Sequence, residues 1–186
     1  MPTPWNRCFI ALAPDAESRE TLANLPVPDT VRRVAYDDLH LTLAFLGGIA
    51  PPQGHALSDA LHVLAEPLPA LDFQGLALWP SPHHPRVLVA RYTLAPALQD
   101  MLKGLHRVLR ELDLPVEARP FQPHVTLARL RPDRPPLAAE SLQWMEGLHG
   151  VPPLHLDSLG LYASLPVEHG PRYRALQSVP LVPDYD

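Results

Sequence analysis

The sequence predicts a fold of mixed strands and helices, made of two pseudo-symmetric halves around a central cleft. Two observations carry this. A strand-helix-strand pattern occurs twice: Phe9-Ile10-Ala11-Leu12, a helix and His40-Leu41-Thr42-Leu43, then Val87-Leu88-Val89-Ala90, a helix and His124-Val125-Thr126-Leu127. The offset between the paired strands is 31 residues in one unit and 37 in the other, a difference that loop length absorbs. The second strand of each unit also carries the same tetrad, His-apolar-Thr-Leu. Composition alone, with 10 His and 6 Thr in 186 residues, yields about 0.3 His-x-Thr triplets. The chain has two, and both continue into leucine.

Taken in order, Cys8 to Leu12 is an apolar run of strand length that Pro14 ends. Asp15 is placed to cap a helix from Ala16 to Leu25, stopped by Pro26 and Pro28. His40 to Leu46 is a strand ended by Gly47-Gly48. Pro51-Pro52 opens a helix with Leu57, Leu61 and Leu64 on one face. Leu71–Trp79 and Val87–Tyr92 read as strands separated by the turn-rich Pro80-Ser81-Pro82-His83-His84-Pro85. Leu94 to Leu112 is the strongest helix, striped by Leu98, Leu102, Leu105, Leu109 and Leu112. Phe121 to Leu130 is the strand of the second tetrad. A helix over 137–148 has Leu142, Met145 and Leu148 at three-residue spacing. Strands over Leu154–Leu165 and Tyr173–Val182 close the chain. No linker is long or polar enough to divide it into independent domains, so residues 1–186 are expected to form one bilobal unit.

Composition excludes several classes. Hydrophobic residues make up 46% and charged residues 19%, which is ordinary for a globular chain. A net charge of −5 argues against a bulk duplex binder, which needs a broad positive surface, but leaves room for a local basic site. Cys8 stands alone, so there is no disulfide framework and no paired-cysteine metal pattern, as expected in a reducing compartment; it reads as a small buried hydrophobe. No apolar run reaches the ~18 residues of a membrane helix. The start, Met1-Pro2-Thr3-Pro4-Trp5-Asn6-Arg7, lacks a basic leader and apolar core. The expectation is a cytoplasmic protein. The 25 prolines are scattered through loops and stiffen connections.

Side chains at i and i+2 of a strand share a face, so each tetrad presents an imidazole and a hydroxyl together. Two imidazoles facing one cavity suit paired acid-base catalysis near neutral pH, one ring accepting a proton while the other donates. Threonine hydroxyls supply hydrogen bonds for an anion's oxygens. A phosphodiester calls for this set: a base for the water, an acid for the leaving alkoxide and donors between. Nothing in it requires a metal or cofactor, and none is expected.

The paired tetrads resemble the signature of the two-histidine phosphoesterase superfamily. The fuller text is similar to the bacterial RNA 2′,3′-cyclic phosphodiesterases, also called 2′-5′ RNA ligases. The matching words are Arg7-Cys8-Phe9-Ile10-Ala11-Leu12, His40 to Gly47, Phe121 to Arg129, and Leu159-Gly160-Leu161-Tyr162-Ala163-Ser164 followed by Tyr173. That resemblance implies an α+β, bilobal two-histidine phosphoesterase fold, with antiparallel sheets flanking the cleft. It implies His40 as general acid, His124 as general base, and Thr42 and Thr126 on the non-bridging phosphate oxygens. Water would open a 2′,3′-cyclic phosphate on RNA or oligonucleotide ends, tRNA fragments among them, leaving a 2′-phosphate. Reversible 2′-5′ joining of ends is implied as well. The proline-rich loop at 80–85 and the scarcity of basic residues depart from the pattern.

Arg129 would add positive charge near the phosphate; regular alternation puts it on the opposite face from His124 and Thr126 unless the strand twists or bulges. His83-His84 reads as a solvated turn, and His62 and His106 as helix-surface residues. Phe45, Trp79, Tyr162 and Tyr173 read as core aromatics, with base stacking as the alternative. Rival readings are a nucleotide- or RNA-binding module without turnover, a phosphodiesterase for another cyclic phosphate such as one on ADP-ribose, an enzyme ligating tRNA halves, and a metallohydrolase whose ligands the sequence does not supply. The protein is expected to be a monomer.

Overall fold

A computed structural model describes residues 5–133, 135–165 and 172–181. The first four residues and Val182, the expected end of the last strand, lie outside them. The chain runs β1 (Cys8–Pro14), α1 (Ala16–Ala23), β2 (Arg32–Arg33), a 3-10 turn (Tyr36–Asp38), β3 (Leu41–Gly47), α2 (Pro51–Leu64), β4 (Phe73–Trp79), β5 (Val87–Tyr92), α3 (Pro96–Glu111), β6 (His124–Arg129), α4 (Ala139–Gly147), β7 (Leu156–Ser164) and β8 (Tyr173–Pro180). The class is α+β. Two four-stranded sheets have the orders β3-β1-β7-β8 and β2-β6-β5-β4, and every pairing in them is antiparallel.

The internal repeat is longer than the sequence pattern shows. It reads β1-α1-β3-α2-β4 and then β5-α3-β6-α4-β7. In each copy the middle strand of a sheet (β1 or β5) pairs with its tetrad strand (β3 or β6). The last strand of each copy crosses to the other sheet: β4 pairs with β5, and β7 with β1. The halves are therefore interlocked through an exchange of strands.

Local chemistry sets the element ends. Asp15 caps α1, its carboxylate accepting from the Ser18 N–H at 2.8 Å. Prolines occupy the first turns of α2 and α3, where their missing N–H costs nothing. For that reason α3 starts at Pro96 and leaves Leu94 outside. β6 starts at His124 because Pro123 has no N–H for the ladder; its carbonyl instead accepts from Tyr92 N–H at 3.0 Å. Leu71 lies before β4, in an isolated bridge to Leu154. In α4 only Met145 of the three spaced apolar residues is buried, so that helix lies more loosely than its stripe implies.

One large core backs both tetrad strands. Leu41 and Leu43 of β3 and Val125 and Leu127 of β6 share it with Leu57 and Leu61 of α2 and Leu98, Leu102, Leu105 and Leu109 of α3. Burying each such side chain contributes roughly 1.5–3 kcal/mol, which fixes the strands and hence the facing of their polar residues. Leu112 of the α3 stripe is only partly buried. Among the described residues, no helix is long and apolar enough to cross a membrane.

Candidate active site

β3 is the edge of one sheet, and β6 lies one strand in from the edge of the other; the two approach each other between the sheets. On each strand alternation sends the apolar residue after the histidine, and the leucine after the threonine, into the core. His40, Thr42, His124 and Thr126 are left half-buried on the opposite face, as the i, i+2 spacing requires. Among the described residues neither threonine hydroxyl is engaged elsewhere.

Both strands then break alternation at the same place. Opposite β1 the register runs Ala11↔Thr42 and Ile10↔Ala44, skipping Leu43. Opposite β5 it runs Val89↔Thr126 and Leu88↔Ala128, skipping Leu127. A bulge puts one extra residue on one strand and reverses the faces beyond it. Arg129 therefore comes onto the face of His124 and Thr126. In the other half, Phe45 takes the equivalent position beyond His40 and Thr42. It is 76% exposed, so the expectation of a core aromatic fails there, because the bulge turns it outward.

The histidines are held alike. His40 Nδ1 lies 2.6 Å from the Asp38 carbonyl oxygen, and His124 Nδ1 lies 2.8 Å from that of Gln122. A carbonyl only accepts, so Nδ1 carries the hydrogen in both rings. Nε2 is then the nitrogen left to exchange protons with a substrate. Burial holds both pKa values below the ordinary histidine value. For His40 the Asp38 carbonyl and charge oppose that effect, while the charges of Arg129 and His124 reinforce it. For His124 the hydrogen bond to Gln122 is the opposing cause. His40 thus lies within electrostatic reach of both His124 and Arg129.

Aromatic side chains wall the site. Phe9 is centred 5.1 Å from the His40 ring, stacks on Tyr162 at 5.5 Å and meets Phe45 at 6.3 Å. Tyr173 stands edge-on to His40 at 5.0 Å, and its hydroxyl accepts from Arg129 Nη2 at 3.1 Å. Trp79 packs edge-on against His124 at 4.6 Å. From the sequence Tyr173 reads as a core aromatic or a stacking face; its contacts to Arg129 and His40 are visible only in three dimensions. Asp38 was missed altogether, although it stands two residues before His40 and is buried.

The remaining candidates lie elsewhere. His83 and His84 are exposed in the loop before β5. His62 is exposed on α2 beside Gln177, and His106 sits half-buried on α3 near Arg110. With Lys103, Arg107 and Arg110, His106 lines a shallow depression that shares no residue with the histidine cleft. Burial raises the Cys8 thiol pKa, so it stays a packed thiol. Among the described residues no three His, Cys, Asp or Glu converge as a metal-ligand set.

Comparison with known proteins points the same way. The model of the family described as LigT like Phosphoesterase matches residues 13–89 and 92–173. An RNA 2′,3′-cyclic phosphodiesterase of Aeropyrum pernix is 28% identical over 165 residues, spanning 88% of this chain and 93% of that protein. One of Escherichia coli is 31% identical over 128 residues, spanning 66% of this chain and 71% of its own. The crystal structure of E. coli LigT complexed with 3′-AMP superimposes with a TM-score of 0.68 at 27% identity, covering 96% of this chain and 99% of that one.

Proposed function

The chain belongs to the LigT like phosphoesterase family, and for this member we propose hydrolysis of 2′,3′-cyclic phosphodiester ends of RNA or oligonucleotides to 2′-phosphomonoesters. The observation that carries the reading is the pair of imidazoles, each with Nδ1–H tied to a backbone carbonyl and Nε2 without a hydrogen-bond partner among the described residues. Curated relatives named RNA 2′,3′-cyclic phosphodiesterase support the substrate class.

The chemistry follows from the placement. His124 Nε2 takes a proton from water as its oxygen bonds to phosphorus. The bond from phosphorus to the ribose 3′ oxygen breaks, and that oxygen takes the proton from His40 Nε2. The Thr42 and Thr126 hydroxyls and the Arg129 guanidinium donate to the non-bridging oxygens, where charge accumulates. The product keeps its phosphate on the 2′ oxygen. Proton exchange with solvent returns each histidine to its starting state. In 2′-5′ joining an RNA 5′-hydroxyl takes the place of water: His124 takes its proton as its oxygen bonds to phosphorus, and the 3′ oxygen leaves with the proton from His40. Phe45, exposed beyond His40 and Thr42, supplies a stacking face for the nucleobase. The reading includes a monomeric enzyme of the cytoplasm, where the lone thiol of Cys8 stays reduced, with tRNA fragments among its substrates and residues 1–186 acting as one bilobal unit.

The test is incubation of the purified chain with 2′,3′-cyclic nucleotides and short cyclic-ended RNAs in excess EDTA, with phosphorus NMR of the products. Turnover to the 2′-phosphate in chelator is the expected result. Turnover that stops in EDTA and returns with one divalent ion contradicts paired-histidine chemistry. A dominant 3′-phosphate means the substrate lies reversed.

A further inference from the structure

The two histidine motifs match in backbone geometry and differ in charge. In each, the Nδ1–H is held by the carbonyl of the residue two before it, Asp38 for His40 and Gln122 for His124. Gln122 is a neutral, exposed amide. Asp38 is 3% exposed. Its Oδ2 accepts from the Arg172 backbone N–H at 2.9 Å, and its Oδ1 has no hydrogen-bond partner among the described residues. A buried carboxylate with an unmatched oxygen is costly. Asparagine has the same shape and accepts the same Arg172 bond without the charge. The carboxylate therefore asks for an electrostatic explanation.

We propose that Asp38 divides the labour between the histidines: its buried negative charge favours the protonated, proton-donating form of His40, while the neutral amide at Gln122 leaves His124 the acceptor. The proposal rests on the reading of the site as a paired-histidine phosphodiesterase. Asp38 is a positioning residue that works through His40. His40 is faced by Arg129 and His124 from β6 and by Tyr173 from β8. Arg19 of α1 is held nearby, donating to the Tyr36 and Leu39 carbonyls on either side of Asp38. Burial, Arg129 and His124 all press His40 towards the neutral form, and Asp38 opposes them with both its carbonyl and its carboxylate. Among the described residues, His124 has only the Gln122 carbonyl to oppose burial. The same carboxylate, by holding Arg172 N–H, seats the start of β8 and so places Tyr173 edge-on to His40.

The experiment is an NMR titration of the two imidazoles in the whole chain without substrate, with assignments from His40→Gln and His124→Gln. In the wild type His40 should titrate at or above His124. Asp38→Asn, which keeps an acceptor for Arg172, should lower the His40 midpoint by about one unit and leave His124 nearly in place. The basic limb of kcat/KM should move down with it while the acid limb stays. An unmoved His40 midpoint in Asp38→Asn, or an equal shift in both histidines, overturns the proposal. If that variant does not fold, the wild type decides: a His40 midpoint well below that of His124 overturns it. Because the titration needs no substrate, failure of the function reading shows separately, as a wild type that opens no cyclic nucleotide.

Discussion

Arg129 and Tyr173 meet across the cleft, the arginine Nη2 donating to the tyrosine hydroxyl at 3.1 Å. One lies on β6 and the other on β8, so this bond joins the two sheets at the site. A guanidinium has five N–H donors; one fixes its direction, and the others, without a partner among the described residues, can serve phosphate oxygens. Arg129→Ala should cut turnover of a 2′,3′-cyclic nucleotide by about 10²–10³-fold, the usual loss for a donor to developing charge. Arg129→Lys should fall between the two, keeping the charge and losing the fork. Arg129 is exposed, so melting temperature should hardly change. Steady-state kinetics check this, and a loss under about three-fold removes Arg129 from the phosphate site.

The pH dependence should be bell-shaped and set low. Catalysis needs His124 neutral, which gives the acid limb, and His40 charged, which gives the basic limb. Burial depresses both groups in the free protein, so both limbs of kcat/KM should fall below about 6.5. Bound cyclic phosphate is an anion and favours the charged imidazoles, so the limbs of kcat should lie higher. The two values belong to the coupled pair. A basic limb of kcat/KM above about pH 7 contradicts the burial argument.

Phe45 should matter for bases and little for folding. It is 76% exposed, and stacking on an aromatic contributes about 1–3 kcal/mol per base. Phe45→Ala should reduce kcat/KM on cyclic nucleotides by roughly ten-fold, mainly through KM, and leave a small cyclic phosphodiester without a base unaffected. An equal loss on both substrates removes the stacking role.

The tetrads were legible because period-two alternation is a short-range property: His40, Thr42, His124 and Thr126 share the facing their spacing predicts. Arg129 was a candidate only on condition of a twist or bulge, and Phe45 read as core, because a bulge is a feature of pairing between strands. Only the register against β1 and β5 reveals the skipped Leu43 and Leu127. Asp38 escaped because its burial depends on Arg172, which is distant in sequence and supplies the backbone N–H. The exchange of β4 and β7 between sheets is likewise a long-range choice that helix and strand patterns leave open.

The most direct test of paired-histidine chemistry separates the two histidines by leaving group. The ribose 3′ oxygen departs poorly without a proton, whereas nitrophenolate departs without one. A general base is needed in either case, and each proton transfer typically contributes ~10²–10⁴-fold. The measurement is kcat/KM of His40→Ala and His124→Ala on a 2′,3′-cyclic nucleotide and on a nitrophenyl phosphodiester that the wild type turns over. His40→Ala should be severely impaired on the first and largely restored on the second, while His124→Ala should be impaired on both. Restoration in His124→Ala alone reverses the roles, and restoration in neither contradicts the account that these histidines act by passing protons.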